Sequence, residues 1–372
     1  MKIAYVTLHL DSKIINGGAG HKIKGQISLW RSIGHTVDLF SLTPVSITSI
    51  PDAHEVPFGP WTQLPILKFL SREISRFLGL RKLIATVRQY DPDIVYLRFG
   101  MFSFPLQNLP KVAPLVLEIN SNDLEENRPR GLVLYWINRL ARGYMLSHCA
   151  GWVAPSHEIE RLPVNQKYGK PSCVVSNGID LDQYEILPPA GNIAPVLTLV
   201  GTPGMNWHGV DKLLCLAREY PELRIHIVGY SKADLSESIP ANVSLHGYLP
   251  PVTVKEVLMK TDVAFGTLAL HRKNMQEASP LKVREALAHG IPVVLAYQDT
   301  DLQNIQSDLF LFLPNTPDNV SSHGKLIRDF AFHVQGKRVD RELIHPLINR
   351  HDKERKRLAF FEQILNSSAA RH

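Results

Sequence analysis

Two glutamates bracket a Ser-Pro-Leu-Lys turn in EASPLKVREALAHGIPVV, the stretch from Glu277 to Val294. In one continuous helix their eight-residue spacing would mean roughly 12 Å of rise and about 80° of rotation. Pro280 argues against that. Proline favours the first helical position, Ser279 is a good N-cap, and Gly290 followed by Pro292 is a stop, so a helix is expected over Pro280 to His289. Glu277 then precedes the helix and Glu285 lies one turn inside it, around free backbone N–H groups that suit a phosphate. Lys282 adds a point charge beside those amides, and the Glu285 carboxylate can accept from two adjacent hydroxyls.

Other polar residues stand where a strand pattern ends. The glycine-rich NGGAG, Asn16 to Gly20, follows the first apolar run and lets a backbone approach a ligand closely. It is not a nicotinamide fingerprint: counted from Gly18, the third glycine would fall at Ile23, and no Walker lysine follows. Arg98 closes YLR, and Glu118, Asn120, Glu125 and Glu126 follow in LEINSNDLEEN. Such groups either face a ligand or pair with one another, and both readings stand. His208, in NWHG, precedes a helix start, a place that suits a phosphate or a sugar. Asp91–Asp93 and Asp180–Asp182 have the D-x-D spacing of metal ligands, but their settings read as turns, so no essential metal is expected.

Positioning these residues takes two parallel sheets. Short apolar runs alternate with helical stretches, KIAYVTL, HTVDLFSL, DIVYLRF, APLVLEI and GWVAPS, and the rhythm restarts at VLTLVG, RIHIVGY, VSLHGYL, DVAFGTL and PVVLA. That alternation predicts an α/β class with helices on both sheet faces. Two Rossmann-like domains are expected, 1–175 and 195–350, with a turn-rich linker at 176–194 and a final helix over 351–372 returning to the first domain. Ligands of open α/β sheets bind beyond the carboxyl ends of strands, so a cleft between the domains is the expected site.

The 372-residue chain is 44% apolar and 20% charged, as in an ordinary globular protein, with net charge +6 and pI near 9.1. Acidic partners are implied. Lys68, Arg72 and Arg76 recur every four residues beside an apolar face of Ile66, Leu67, Leu70, Ile74, Phe77 and Leu78. Either a solvated helix packs on the first domain by that face, or it docks on an anionic membrane. No aromatic RNA-binding signature or zinc finger occurs, so nucleic acid is not an expected partner. No leader or bilayer-length apolar run is seen, and a cytoplasmic protein is expected, with peripheral docking at the inner membrane face as its variant. Cys149, Cys173 and Cys215 read as reduced thiols.

Taken in order, GGAG, SIGHTVDLF, VSNGIDLDQY, NWHGVDKLL and the Glu-x7-Glu segment resemble the retaining group 1 (family 4) glycosyltransferases of the GT-B fold, over nearly the whole chain. The resemblance implies a nucleoside-diphosphate sugar bound by the second domain, a glycan, lipid-linked or small-molecule acceptor bound by the first, and no cofactor. Carried over, Glu277 contacts the donor sugar, Glu285 the ribose, and the backbone of Ser279, Leu281 and Lys282 the sugar-diphosphate; Gly17 and Gly18 close on the diphosphate, and Tyr248 and Leu249 hold the base. Many relatives carry Arg and Lys in G-R-x4-K-G, where this chain has Thr202 and His208, so Arg98 and Lys282 are the expected substitutes. Asn120 stands where many relatives have a histidine and, with Glu277, Lys282 and Arg98, is a catalytic candidate, while Glu118 and Glu126 are acceptor-side candidates. The chain looks like a subgroup with Y-x-R, L-E-x-N and W-H-G signatures, suited to surface polysaccharide, lipopolysaccharide or glycolipid assembly. A nonenzymatic sugar-nucleotide or glycan-binding protein is the alternative, and a nicotinamide oxidoreductase is disfavoured by the missing fingerprint.

Overall fold

The structure, a computed structural model, describes the chain except His9, 11–14, Asn16, 45–49, Gln63, Met101, 128–130 and 370–372; a few helical side chains, Ile66 among them, are also outside the description. Asn16 of the glycine-rich stretch therefore lies outside the described residues. The chain divides into two units, Met1–Val175 with Lys353–His372, and Ser176–Asp352.

In the first unit β1 (Lys2–Leu8), β2 (Thr36–Thr43), β3 (Ala53–Pro57), β4 (Ile94–Arg98), β5 (Leu115–Glu118), β6 (Gly151–Ala154) and β7 (Ser172–Val174) form one parallel sheet, in the order β3-β2-β1-β4-β5-β6-β7. Continuous apolar strands such as KIAYVTL suit a sheet covered on both faces. On one face Ile3, Tyr5, Leu39 and Tyr96 meet Ile23, Ile27 and Trp30 of the Gly18–Ser32 helix and Leu358, Phe361 and Ile364 of the C-terminal Arg350–Ala369 helix. The chain reverses direction across the sheet at β3, so right-handed crossovers place the next connections on the opposite face. Those are the Pro65–Tyr90 helix, the 3-10 turn Leu106–Lys111 and the Leu132–His148 helix.

The second unit has a parallel sheet of β8 (Val196–Val200), β9 (Arg224–Val228), β10 (Val243–Gly247), β11 (Val263–Phe265), β13 (Val293–Leu295) and β15 (Phe310–Phe312), in the order β10-β9-β8-β11-β13-β15. Leu197, Leu199, Ile225, Ile227 and Phe265 pack against Leu213 and Leu214 of the Val210–Glu219 helix and Ile327 and Ala331 of the Gly324–Val334 helix. A separate two-stranded ladder pairs β12 (Glu277–Ala278) with β14 (Gln298–Asp299). At the carboxyl ends of β8 and β9, Gly229 has φ +95° and a Cβ there would lie 2.1 Å from the Gly201 carbonyl oxygen, so the two loops touch through bare backbone.

Several local expectations change. The first helix begins at Gly18, inside the glycine-rich stretch read as a loop, so the glycines form its first turn; a Cβ on Gly20 would meet the Ile15 carbonyl oxygen at 2.0 Å. The helix of the two-glutamate segment runs Leu281–Ala288 with Pro280 as N-cap, because the Ser279 hydroxyl accepts from Asn177 N–H instead of capping. Leu67, Leu70, Ile74, Phe77 and Leu78 do not pack on the first unit: they are exposed, while Leu80, Leu83, Ile84 and Val87 make the buried contacts of that helix. The stretch 176–194 is bonded to the second unit rather than free-running. Arg341 donates to the Leu181 and Tyr184 carbonyls, Leu187 N–H to His289 O, and Arg284 Nε to Asn177 O.

Candidate active site

Each unit gathers part of the predicted set at the carboxyl ends of its strands. In the second unit, Glu277 sits in β12, buried at 8% exposure, and is followed by the buried Ser279. Asn177 donates from its backbone to the Ser279 hydroxyl (3.1 Å) and from its side chain to the Ser279 carbonyl (2.8 Å), which fixes the turn before the helix. Arg284, fully buried, clamps the same turn from inside. It binds both oxygens of Asp299 (2.5 and 2.8 Å) and Asp301 (2.6 Å), and Ser176 donates to Asp301 (2.7 Å). Bidentate guanidinium–carboxylate pairs of this kind are directional, so β12, β14 and the helix start form one rigid frame. Sequence reading missed Arg284 although it lies in the quoted segment, because an arginine between Val283 and Glu285 gives no sign of pointing inward.

On that frame Leu281 opens the helix, and its first amides have no intrahelical acceptor. Lys282, one residue on, places Nζ 3.0 Å from His208 Nε2. Burial lowers the Lys282 ammonium to about 8. Burial, then the charges of Lys282 and Lys273, push the His208 imidazole down to about 3, so it is neutral at physiological pH. Tyr230 gives its hydroxyl hydrogen to the Thr202 carbonyl (2.7 Å), and its oxygen lies 2.9 Å from His208 Nδ1. With Nδ1–H donating to Tyr230, Nε2 is free to accept from the Lys282 ammonium; the other tautomer would take Thr202 N–H on Nδ1 at 3.2 Å and turn Nε2–H against the lysine. The two neighbouring loops can meet this way because position 201 is glycine: a Cβ there would lie 2.5 Å from the Tyr230 ring and 2.9 Å from His208 Nδ1. Burial also raises the Glu285 carboxyl, one turn along the same helix. Tyr248, exposed, and Leu249, half-buried, follow β10 beside Tyr230, whose carbonyl accepts from Gly247 N–H (2.9 Å).

In the first unit the structure brings Arg98, Glu118 and Asn120 together and adds residues that were not foreseen. Arg98 and Glu118 are register partners on β4 and β5, and their side chains pair at 3.1 Å. Lys22, one turn into the Gly18–Ser32 helix, lies 2.7 Å from Glu118 and donates to Asn120 Oδ1 (3.0 Å). Arg357 of the C-terminal helix approaches Glu118 at 3.8 Å, pairs with Glu354 (2.8 Å) and donates to the Tyr96 hydroxyl (2.6 Å). Glu354 in turn accepts from Trp30 Nε1 (3.0 Å) and Gln26 (3.1 Å). Burial alone would raise the Glu118 carboxyl, but Lys22, Arg98 and Arg357 hold it well below the usual carboxylate range. Glu118, 1% exposed, is thus the anchor of an ion cluster and not an acceptor-facing group, and Arg98 is a partly engaged cation. Lys22 was missed because a lysine amid helical apolar residues reads as a surface charge. Gly17, extended, caps this helix and Gly18 opens it. Glu126 stands apart, exposed and bonded to Ser121 (2.9 Å).

The D-x-D strings take different settings. Asp93 accepts from Lys2 N–H (2.7 Å) at the amino end of the first sheet. Asp180, Asp182 and His351 bring their ligand atoms within 4.8 Å of one another, an acidic grouping at the surface of a kind common without an ion.

Among curated proteins none matches this sequence. Solved structures do. The sucrose-phosphate synthase of Thermosynechococcus elongatus is 14% identical with TM-score 0.67, covering 98% of this chain and 99% of that one. The lipopolysaccharide outer core galactosyltransferase WaaB, 14% identical, has TM-score 0.65 over 99% and 100%. Anabaena HepE in complex with UDP and glucose, 15% identical, has TM-score 0.62 over 96% and 99%. At such identities the likeness establishes the fold. Residues 17–183 match the Glycosyltransferase Family 4 model, and the two Rossmann-like units of the chain have the GT-B fold.

Proposed function

We propose that this chain is a retaining glycosyltransferase that moves a sugar from a nucleoside-diphosphate sugar to an acceptor hydroxyl in surface polysaccharide, lipopolysaccharide or glycolipid assembly. One observation carries the reading: a rigid frame holds Glu277, Lys282, Glu285 and the first amides of the Leu281–Ala288 helix on one short segment, with His208 3.0 Å from the lysine. That set matches the parts of the donor in order, with sugar hydroxyls for Glu277, diphosphate for the amides and Lys282, and ribose hydroxyls for Glu285. Tyr248 and Leu249 are assigned to the base. The family domain over 17–183 supports the same reading, and so does the fold.

In the reaction the bond between the anomeric carbon and the β-phosphate oxygen breaks, and the acceptor oxygen bonds to that carbon on the same face. The acceptor proton passes to the departing phosphate oxygen, which leaves as nucleoside diphosphate. Negative charge grows on the diphosphate, where the amides and Lys282 stabilise it without a metal. His208 keeps the lysine aimed. In the first unit Gly17 and Gly18 are assigned to the diphosphate, and Asn120, oriented by Lys22, to the acceptor or the reacting sugar. Arg98 adds the part of its charge that Glu118 leaves uncompensated.

The test is a panel of nucleoside-diphosphate sugars with EDTA present, scored for nucleoside diphosphate release and for thermal stabilisation, with Glu285→Ala beside the wild type. Release with one donor, reduced at least tenfold in the variant, is the expected result. Stabilisation by nucleotide with no release across an acceptor panel would leave a binding protein, and no response to any donor would remove the site drawn around Glu277 and Glu285.

A further inference from the structure

One face of the first unit carries two helices that each hold exposed apolar side chains among the described residues. On the Pro65–Tyr90 helix, Leu67, Leu70, Ile74 and Leu78 lie at helical spacing and are exposed, Leu70 at 51%. Leu67, Ile74, Arg81 and Arg88 follow at intervals of seven, so the same stripe passes from apolar to basic along the helix. The Leu132–His148 helix repeats the arrangement: Trp136, Ile137 and Leu140 are exposed, Leu140 at 74%, and Arg139 lies over the Trp136 ring at 5.3 Å. Both helices cover the same sheet face, and the 3-10 turn Leu106–Lys111 touches both, so their outward stripes flank one surface. Its loop presents Phe104, also exposed, and Arg76 reaches back to Ser103 (3.0 Å).

Both helices are basic in composition. The first helix holds Lys68, Arg72, Arg76, Arg81, Lys82 and Arg88 against the single acid Glu73, which Arg72 and Arg76 already approach at 3.4 Å. The second has no acid along its length. Leucines, a tryptophan and a tyrosine interleaved with arginine make up the composition of a helix lying in a lipid interface, where apolar side chains enter the acyl boundary and basic ones meet headgroup phosphates. A protein partner would need an equally apolar face lined with acids.

We infer that the Pro65–Tyr90 and Leu132–His148 helices together form a docking surface for an anionic lipid bilayer. The inference stands on exposed side chains of the first unit, and it does not depend on the reaction proposed above.

Purified full-length protein is sedimented with vesicles of phosphatidylcholine alone and of equal phosphatidylcholine and phosphatidylglycerol, at low and at physiological salt. Binding to the mixed vesicles at least tenfold tighter than to phosphatidylcholine, and weakened by salt, is expected. Trp136→Glu with Leu140→Glu, and separately Arg81→Glu with Lys82→Glu, should each weaken it about tenfold or more while circular dichroism and melting temperature stay unchanged, since all four side chains are exposed. Equal binding to both vesicle types, or binding that neither pair alters, would overturn the proposal. So would a wild-type dimer in sedimentation equilibrium that the Trp136→Glu and Leu140→Glu pair dissociates, which would assign the surface to a second copy of the chain.

Discussion

Lys282 titrates in a window that an assay can reach. Burial holds its ammonium at about 8, so the charge is complete below that pH and lost above it. The proposed transition state needs that charge, and kcat/KM for the donor, which reports the free enzyme, should fall about tenfold per pH unit above about 8. Lys282→Arg, whose guanidinium stays charged, should flatten that limb, while Lys282→Ala should cost on the order of 100-fold at neutral pH. Tyr230→Phe keeps the ring but removes the oxygen that accepts from His208 Nδ1. The imidazole then takes Thr202 N–H and turns Nε2–H toward the lysine, so the alkaline limb should move to lower pH and kcat/KM at pH 7 should drop about tenfold. Glu277, Ser279, Lys282 and Glu285 were legible because one short segment carries all four. Tyr230 was not, since its tie to positions 202 and 208 exists only through the pairing of β8 with β9.

Element by element, interior pieces announced themselves, and of the edges only β10 did. Strands β1, β4, β5, β8 and β11 are buried apolar runs that read as strands at sight. β3, β7 and β15 lie at sheet edges, where a strand needs only one neighbour and little apolar chain: AHEVP ends in proline and SCV has three residues. The Leu132–His148 helix went unread because its exposed leucines and tryptophan break the amphipathic pattern that would mark it. The Gly18–Ser32 helix offers a test of which local effect wins. Alanine at Gly20 should add up to about 1 kcal/mol by helix propensity, but a Cβ there meets backbone at 2.0 Å, which cannot yield as a side chain can. Gly20→Ala should therefore lower the melting temperature, whereas alanine at the half-buried but unobstructed Gly59 should leave it nearly unchanged.

At the scale of the whole molecule, the chain returns to its first unit after completing the second. Residues from Lys353 onward belong to the first unit, and Arg357 is one of the three cations that keep Glu118 ionised in its buried site. Removing one partner from such a group costs about 3–5 kcal/mol. Arg357→Ala should lower the urea midpoint accordingly, while Arg355→Ala, exposed on the same helix, should move it little. The ordering of these contacts also sets a schedule for synthesis. Domains generally fold as they emerge, amino-terminal first. Here the unit that emerges first has to wait for the other: Leu358, Phe361 and Ile364, which close its sheet, and the arginine that balances its buried glutamate follow the whole of the second unit in the chain. A nascent chain therefore presents an unfinished first unit until the second, complete at Asp352, has been made, and a stop codon placed between Asp352 and Arg357 would leave that first unit open to chaperones and proteases.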